Sequence, residues 1–419
     1  MKAPDEVTNV VKFAQSVIPV ASDGTRQVVY YNSGVGTGGP IDRLLGGVLG
    51  AGVRSNVHRA YTFLTLNYEP GDEIYILGFS RGAFTGRALA ALIGVIGVLR
   101  RQEFERFDEA WKYYRLPPKR RPGKRAGPRP AEGGQAGKPS HTAPEAAWFH
   151  HPVAVKALGV WDTVGSYGIS SGLFISGWGA AITAKLLGFH DRQLGAHVEH
   201  AYHAIAIDEA RGPFQPTLWL QPKGTKRANV EQVWFAGVHS DVGGGFSASG
   251  LSDTALVWMM DRMSVSGLEL DPDFIGQEYC PCPGCELHNS GNLLFRLLSP
   301  YPRPVLSGRP PIEEGGTPQE VISEKLHWSV VERWTAARAA GADKANWLPK
   351  NLPKDLTGVP VSEPGQFELE ILRSARPHPR HAPPPRHEGC WSQAVPQRFG
   401  TGHSSANLAT AGAAERGAN

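Results

Sequence analysis

The sequence predicts an α/β protein, with a mostly parallel β-sheet and helices on both of its faces. Apolar runs typical of buried strands alternate along the chain with segments whose apolar residues recur at helical spacing. The clearest strand signal, at residues 153–161, is almost continuously apolar, as expected of a strand covered on both sides. This alternation favours a parallel sheet, because each parallel connection needs a crossover that is usually a helix.

The composition along the chain indicates one folded unit that is interrupted by an insertion. Residues 1–116 form its N-terminal part and residues 148–373 form the remainder. Residues 117–147 are dominated by Pro, Gly, Ala and basic residues, and residues 374–419 by Pro, Arg, His and then small residues, so we expect both to be disordered. The predicted elements are a helix at 7–18, a strand at 26–31, a helix at 54–68, a strand at 73–77, a helix at 83–99, strands at 153–161 and 232–238, and a helix at 251–263.

The charge balance argues against nucleic acid as a partner. The chain has 43 Lys and Arg against 39 Asp and Glu, and its basic excess is concentrated in residues 112–129. The N-terminal residues lack the apolar core of a signal peptide, and no apolar run reaches the roughly 18 residues that span a membrane. We therefore expect a protein that is cytoplasmic in the producing cell, or that is secreted without a signal peptide.

Three of the four cysteines, Cys280, Cys282 and Cys285, lie close together, and His288 follows them. Thiolates and imidazoles are common zinc ligands, but this spacing is not that of a standard zinc site and no second ligand pair follows. We interpret the cluster as a proline-rigid surface loop with reduced thiols and keep a metal site as the alternative. The sequence thus predicts no metal and no other cofactor.

A G-x-S-x-G pentapeptide spans residues 78–82, between the predicted strand at 73–77 and the helix at 83–99. In α/β-hydrolases this pattern holds a nucleophilic serine on a sharp strand-to-helix turn. We expect a Cβ at either Gly78 or Gly82 to clash with the chain crossing close by. The same pattern recurs around Ser170 without a compact strand ahead of it. Placement, more than the pattern itself, identifies Ser80 as the candidate nucleophile.

Two further reactive residues follow predicted strands. Asp162 comes directly after the strand at 153–161, and His239 after the strand at 232–238. Because the carboxyl ends of parallel strands lie along one edge of a sheet, Ser80, Asp162 and His239 are expected to meet there, in the chain order that α/β-hydrolases use. An imidazole can take the serine proton, and a carboxylate can orient that imidazole.

Structural roles remain open for each of these residues. Asp162 could cap a turn, and His239 could be a hydrogen-bonded histidine in a glycine-rich loop. Asp241 is a rival acid, although residues two apart in a loop rarely align a carboxylate with an imidazole. We expect structural roles for the other histidines, among them His197, His200, His203, His288 and His327.

Several motifs together resemble one family, the bacterial type VI secretion lipase effectors with an α/β-hydrolase catalytic domain, formerly a domain of unknown function. The similarity covers roughly residues 7–355. It implies a phospholipase in which Ser80, Asp162 and His239 fall on the triad positions of the family. The motifs lie at residues 30–37, 78–83, 159–165, 206–211, 214–219, 237–245 and 327–330.

The resemblance also implies a strand that this sequence does not show. Family members open with an apolar strand and an Asp-Gly-Thr loop just ahead of the helix that corresponds to residues 7–18, whereas this sequence starts directly before that helix. Asp23-Gly24-Thr25 follows the helix and is no substitute. The missing loop would carry one of two oxyanion N–H donors, and the backbone N–H of Arg81 is the other.

The leading hypothesis is a serine-dependent lipolytic hydrolase, a phospholipase A that acts on phospholipid or another ester at a membrane interface. The apolar segment at 168–188 could form an acyl-binding wall or lid. A secretion-spike protein and an immunity protein are the expected protein partners. The alternatives are an inactive hydrolase fold that serves as a binding module, and an esterase or thioesterase for a substrate other than phospholipid.

Overall fold

The computed structural model describes residues 7–33, 49–116, 121, 144–164, 194–211, 214–223, 227, 229–289, 301–308, 319–339 and 347–374. The α-helices of these residues are α1 (Asn9–Ser16), α2 (Leu49–Asn67), α3 (Arg81–Ile96), α4 (Phe107–Tyr114), α5 (His239–Gly243), α6 (Gly250–Val265), α7 (Pro272–Glu278), α8 (Trp328–Ala339) and α9 (Gln366–Ser374). The strands are β1 (Tyr75–Phe79), β2 (Val98–Leu99), β3 (Phe149–His150), β4 (Val155–Trp161), β5 (Val198–Ala206), β6 (Leu220–Pro222), β7 (Val230–Phe235), β8 (Gln319–Val321), β9 (Glu324–His327) and β10 (Val361–Ser362).

The central sheet has the strand order β1-β4-β5-β7-β9-β10, and every neighbouring pair in it is parallel. The prediction of an α/β fold with a mostly parallel sheet is confirmed. Strands from both sides of the interruption at 117–147 belong to this one sheet. Because all six strands run the same way, their carboxyl ends lie along a single edge, where ligand crevices form in open α/β sheets.

Helices cover both faces of the sheet and enclose separate apolar cores. One core contains side chains of α2, α3 and α4, a second contains those of α1, α6 and α9, and a third contains those of β7, β9 and α8. Neighbouring residues of β4 serve two of these cores, with Leu158 in the first and Ala157 in the second. Gly159 allows α6 to pack closely, because a Cβ there would lie 2.3 Å from the side chain of Met263.

Buried polar contacts fasten α1 to the helices that follow β7. The side-chain amide of Asn9 donates to the carbonyls of Val242 in α5 at 2.9 Å and Ser252 in α6 at 2.8 Å. The ammonium of Lys12 pairs with Asp253 in α6 at 2.5 Å, with both side chains buried. These contacts fix α5, and with it the start of the glycine-rich loop, against the rest of the fold.

The predicted helices at 7–18, 54–68, 83–99 and 251–263 all form, with shifted ends. The strand predicted at 26–31 does not form a ladder, and Arg26 makes only an isolated bridge with Val20. Its apolar side chains, Val28 among them, are exposed, and Tyr30 stacks on Phe63 of α2 with ring centroids 4.9 Å apart. Branched and aromatic residues favour extended backbone, but a strand also needs a partner, and no ladder partner lies beside it in the described chain.

The predicted disorder is wrong at its margins. Residues 146–148 form a short 3-10 helix, and Ser374 is the last residue of α9. Most of 117–147 and all of 375–419 lie outside the described residues, so the rest of that prediction stays a prediction. Within the described ranges, no helix is both long enough and apolar enough to cross a membrane.

Replacing Asn9 by alanine tests the attachment of α1. The carbonyls of Val242 and Ser252 would stay buried without their donor, so we expect the free energy of unfolding to fall by about 1–3 kcal/mol. Urea denaturation measures the change. Asn67→Ala is the matched control, because the exposed amide of Asn67 bonds only within its own helix, to Phe63. Equal losses in the two variants would contradict the assigned role of Asn9.

Candidate active site

Ser80 occupies a sharp turn between the end of β1 and the start of α3. Its backbone has φ 57° and ψ −118°, a conformation that residues other than glycine rarely adopt. The amide of Ser80 donates to the carbonyl of Trp161 at 3.0 Å, which ties the turn to the end of β4. Because α3 begins at Arg81, the N–H of Arg81 belongs to the first helical turn, where amides lack a helical acceptor and are available to an anion.

The two glycines that flank this turn differ in what surrounds them. A Cβ on Gly78 would lie 2.4 Å from the carbonyl oxygen of Gly82, whereas a Cβ on Gly82 would meet nothing within 4 Å. The expectation that both positions exclude a side chain is therefore wrong for Gly82. The reason is geometric, since the crossing chain passes over Gly78 and leaves Gly82 facing open space.

Asp162 directly follows β4 and is fully buried. Its backbone is also in the left-handed region, at φ 39°, and its amide donates to Ala204 in β5 at 2.7 Å. One carboxylate oxygen, Oδ1, accepts the amide of Ala206 at 3.0 Å. The end of β5 thus fixes both the backbone and the side chain of Asp162.

The buried Arg303 makes a two-pronged ion pair with this carboxylate. Its Nη1 lies 2.6 Å from Oδ1 and its Nη2 lies 2.9 Å from Oδ2 of Asp162. Burial alone would raise the pKa of Asp162, but the charge of Arg303 and the contact with His239 outweigh it and hold this pKa well below its ordinary range. Sequence reasoning missed Arg303, because a Tyr-Pro-Arg-Pro segment carries no signal that distinguishes it from a surface loop.

His239 joins Asp162 to Ser80. It is the first residue of the short helix α5, four residues beyond the end of β7, and it is 6 % exposed. Its Nδ1 lies 2.5 Å from Oδ2 of Asp162, and its Nε2 lies 2.9 Å from Oγ of Ser80. An ionised Asp162 can only accept, so Nδ1 carries the proton and Nε2 presents its lone pair to the serine hydroxyl.

The surroundings of His239 restrict its movement. The rings of Phe79 and Phe214 lie 4.6 Å and 5.1 Å from the imidazole, on centroid distances. The amide of His239 lies 3.4 Å from the buried carboxylate of Glu209. Glu209 is paired with Arg211 at 2.7 Å, and this pairing lowers its pKa although burial acts in the opposite direction.

Asp241, the rival acid, is directed away from His239. Its Oδ1 lies 2.5 Å from Nδ1 of His288, and its Oδ2 accepts the amide of Val238 at 3.0 Å. Asp241 therefore caps α5 and anchors the loop that carries His288. His288 accordingly pairs with Asp241.

The cysteine cluster contains a disulfide. Cys282 and Cys285 are bonded, and Cys280 is buried outside that bond. The expectation of a surface loop with reduced thiols is wrong, since the tight turn through Pro283 and Gly284 brings the two sulfurs into bonding distance. Among the described residues, no three His, Cys, Asp or Glu side chains lie together in an arrangement that could hold a metal ion.

The other histidines named above have contacts that suit structural roles. Nε2 of His197 lies 2.8 Å from the carbonyl of Ala90, and His327 lies 3.1 Å from Glu368. His203 accepts the amide of Thr163, and burial together with the charge of Arg87 lowers its pKa to about 3. Ser170 and the proposed lid at 168–188 lie outside the described residues.

A cavity of about 1600 Å³ opens at Ser80 and His239. It continues between α1, α2, β1 and the extended segment 26–33, and most of its wall is apolar. β1 borders it as the edge strand of the sheet, hydrogen-bonded to β4 among the described strands. Phe13, Leu64 and Leu89 are among the apolar side chains that line it.

The parallel sheet with its Ser-His-Asp arrangement at one edge defines an α/β-hydrolase-like protein. The family model for the catalytic domain of the type VI secretion system Tle1-like phospholipase effectors matches residues 1–262. The chain therefore belongs to the Tle1-like phospholipase effector family.

The individual relatives share little sequence identity with this chain. An uncharacterized protein of Saccharomyces cerevisiae is 27 % identical over 232 residues, which are 51 % of this chain and 30 % of that protein. A crystal structure of an uncharacterized protein from Pseudomonas aeruginosa is 21 % identical, with a TM-score of 0.28, over 53 % of this chain and 27 % of the other. The Tle1 effector bound to the VgrG spike is 22 % identical, with a TM-score of 0.30, over 57 % and 40 %. The chain thus spans less than half the length of each of these relatives.

Gly78→Ala tests the crowding at the Ser80 turn. The added methyl must displace backbone at Gly82, so we expect a loss of about 1–3 kcal/mol in the free energy of unfolding. Gly82→Ala is the matched control, because it meets open space and lies in α3, where alanine is preferred over glycine. Chemical denaturation of both variants measures the difference. A loss in Gly82→Ala as large as in Gly78→Ala would refute this account.

Proposed function

We propose that this chain is a serine-dependent lipolytic hydrolase, a phospholipase A that acts through an acyl-enzyme. The observation that carries the proposal is the continuous hydrogen-bonded series from Asp162 through His239 to Ser80, with distances of 2.5 Å and 2.9 Å. In this proposal Ser80 is the nucleophile, His239 the general base and acid, and Asp162 the group that orients the imidazole.

The proposed reaction has two halves. His239 takes the proton of Ser80 at Nε2 while Oγ attacks the ester carbonyl carbon, and the negative charge forms on the carbonyl oxygen. The backbone N–H of Arg81 donates to that oxygen. His239 then gives its proton to the leaving alcohol, and the acyl group stays on Ser80. His239 then takes a proton from water, which attacks the acyl carbon; the bond to Oγ breaks, His239 returns the proton to Ser80, and the fatty acid leaves.

The cavity supports an ester with a long apolar part. It begins at the reacting atoms and continues along apolar side chains of α1, α2 and β1, a surface that suits an acyl chain. Membership in a family of phospholipase effectors agrees with such a substrate. We propose accordingly that the substrate is a phospholipid met at a membrane interface.

The family also suggests where the protein acts. Its members are effectors of a secretion system, so we propose that the chain is made in the cytoplasm of the producing cell and exported by that system without a signal peptide. A secretion-spike protein and an immunity protein are the partners that this route would involve.

Ser80→Ala tests the proposed nucleophile. Without Oγ no acyl-enzyme can form, so we expect hydrolysis of phospholipid vesicles and short-chain esters to fall by about 10³-fold or more. We also expect a fluorophosphonate probe to label the wild type at Ser80 and to leave the variant unlabelled. Peptide mass spectrometry locates the label.

Ser170→Ala is the matched control, because it removes the serine of the other pentapeptide. It should keep its activity and its label. Equal hydrolysis by Ser80→Ala and the wild type would exclude Ser80 as the nucleophile. A wild type that neither hydrolyses esters nor takes the label would favour a binding module, and cleavage of soluble esters or thioesters without phospholipid would favour the other alternative.

A further inference from the structure

We propose that Arg303 is a positioning residue for the reaction. It keeps the carboxylate of Asp162 ionised and directed at Nδ1 of His239. The inference rests on the proposed function, since it assigns Asp162 the orienting role. Arg303 itself does not line the cavity that opens at Ser80, so it acts on the reaction through the residues it binds, above all Asp162 and also Phe214.

The contacts of Arg303 fit this role. The side chain is fully buried, and its two terminal nitrogens meet both oxygens of Asp162. Nη1 also donates to the carbonyl of Ala206 at 2.7 Å, and Nη2 to the carbonyl of Phe214. The planar guanidinium is thus fixed at four points, and only one orientation of the carboxylate satisfies it.

Arg303 also favours the ionised form of Asp162, which burial disfavours. A carboxylate without exposure to water favours its protonated form unless a positive charge lies beside it. A protonated Asp162 could donate its O–H to Nδ1 of His239 instead of accepting from it, and the imidazole would then carry its proton on Nε2, the wrong tautomer. His239 and the amide of Ala206 contact the carboxylate too, but among the described residues only Arg303 brings a permanent positive charge to hydrogen-bonding distance.

The remaining ionisable groups near the Asp162–His239 pair do not replace this charge. Glu209 is neutralised by Arg211, and Asp241 is paired with His288. Burial keeps His203 neutral, as its lowered pKa shows. Among the described residues, Glu209 contacts the amide of His239, Arg211 pairs with Glu209, and His203 accepts the amide of Thr163, which follows Asp162. Arg81 follows Ser80 at the cavity. Asp208 accepts the amide of Gly237 near the start of α5, and the charge of Arg333 acts on Asp208 and Asp241.

The test compares Arg303→Met with Arg303→Lys in pH profiles of kcat/KM on a soluble short-chain ester. In Arg303→Met the positive charge is lost, so the Asp162–His239 pair binds a proton more readily. The acid limb of the pH profile, where kcat/KM falls on protonation, should therefore shift to higher pH by about one unit or more. We expect kcat to fall by about 10²-fold with KM little changed, because Arg303 does not touch substrate. Arg303→Lys keeps the positive charge but cannot make two parallel hydrogen bonds to the carboxylate. Its acid limb should therefore stay near that of the wild type while kcat falls.

Arg262→Met is the matched control. Arg262 is largely buried and ion-paired, with Asp261 and Glu231, and within the described chain these contacts lie away from the candidate site. It should lower stability and leave the acid limb in place. If Arg303→Met does not fold, Arg303→Lys decides alone: a fall in kcat at unchanged KM supports the proposal, and wild-type kcat overturns it.

The outcomes separate the two proposals. Suppose that the activity of the wild type depends on Ser80 and that Arg303→Met folds but leaves the acid limb in place. This result overturns the positioning role and leaves the proposed function intact. A wild type without Ser80-dependent activity overturns both.

Discussion

A full negative charge inside the protein, on Asp162, constrains the arrangement of the surrounding elements. Taking an ionised carboxylate out of water costs several kcal/mol unless charge and hydrogen bonds replace its hydration. Here the replacements come from separate parts of the chain: the amide of Ala206, the guanidinium of Arg303 and the imidazole of His239. Each donor can reach the carboxylate only if the end of β5, the segment around 303 and the start of α5 are all in place.

The parallel sheet brings these segments together. Side chains that follow β1, β4 and β7 lie at one edge because the strands share a direction, and helices on the two faces leave that edge open. The left-handed backbone at Ser80 and Asp162 turns both side chains out of the line of their strands. Backbone strain of this kind persists where surrounding contacts determine it, and it clusters at functional sites.

Local patterns in the sequence predicted much of this arrangement. The apolar run at 153–161 and the helical periodicity at 54–68 depend on neighbours in the chain, and both elements form. The meeting of Ser80, Asp162 and His239 followed from strand direction and chain order. What failed depends on contacts that the residue pattern does not reveal: the segment at 26–31 has strand residues but no ladder partner, and the space beside Gly82 is set by the conformation of the turn. Arg303 was missed for the same reason, because its partners are 141 and 97 residues away.

Arg303 lies outside the part of the chain that the family model matches. The family match ends at residue 262, whereas the cation that neutralises Asp162 and the strands β9 and β10 come later. A fragment that ended at residue 262 would retain Ser80, Asp162 and His239. It would lack the counter-charge of Asp162, and β7 would become an edge strand of the sheet. The matched segment thus contains the three candidate residues of the site but not the cation that is paired with one of them.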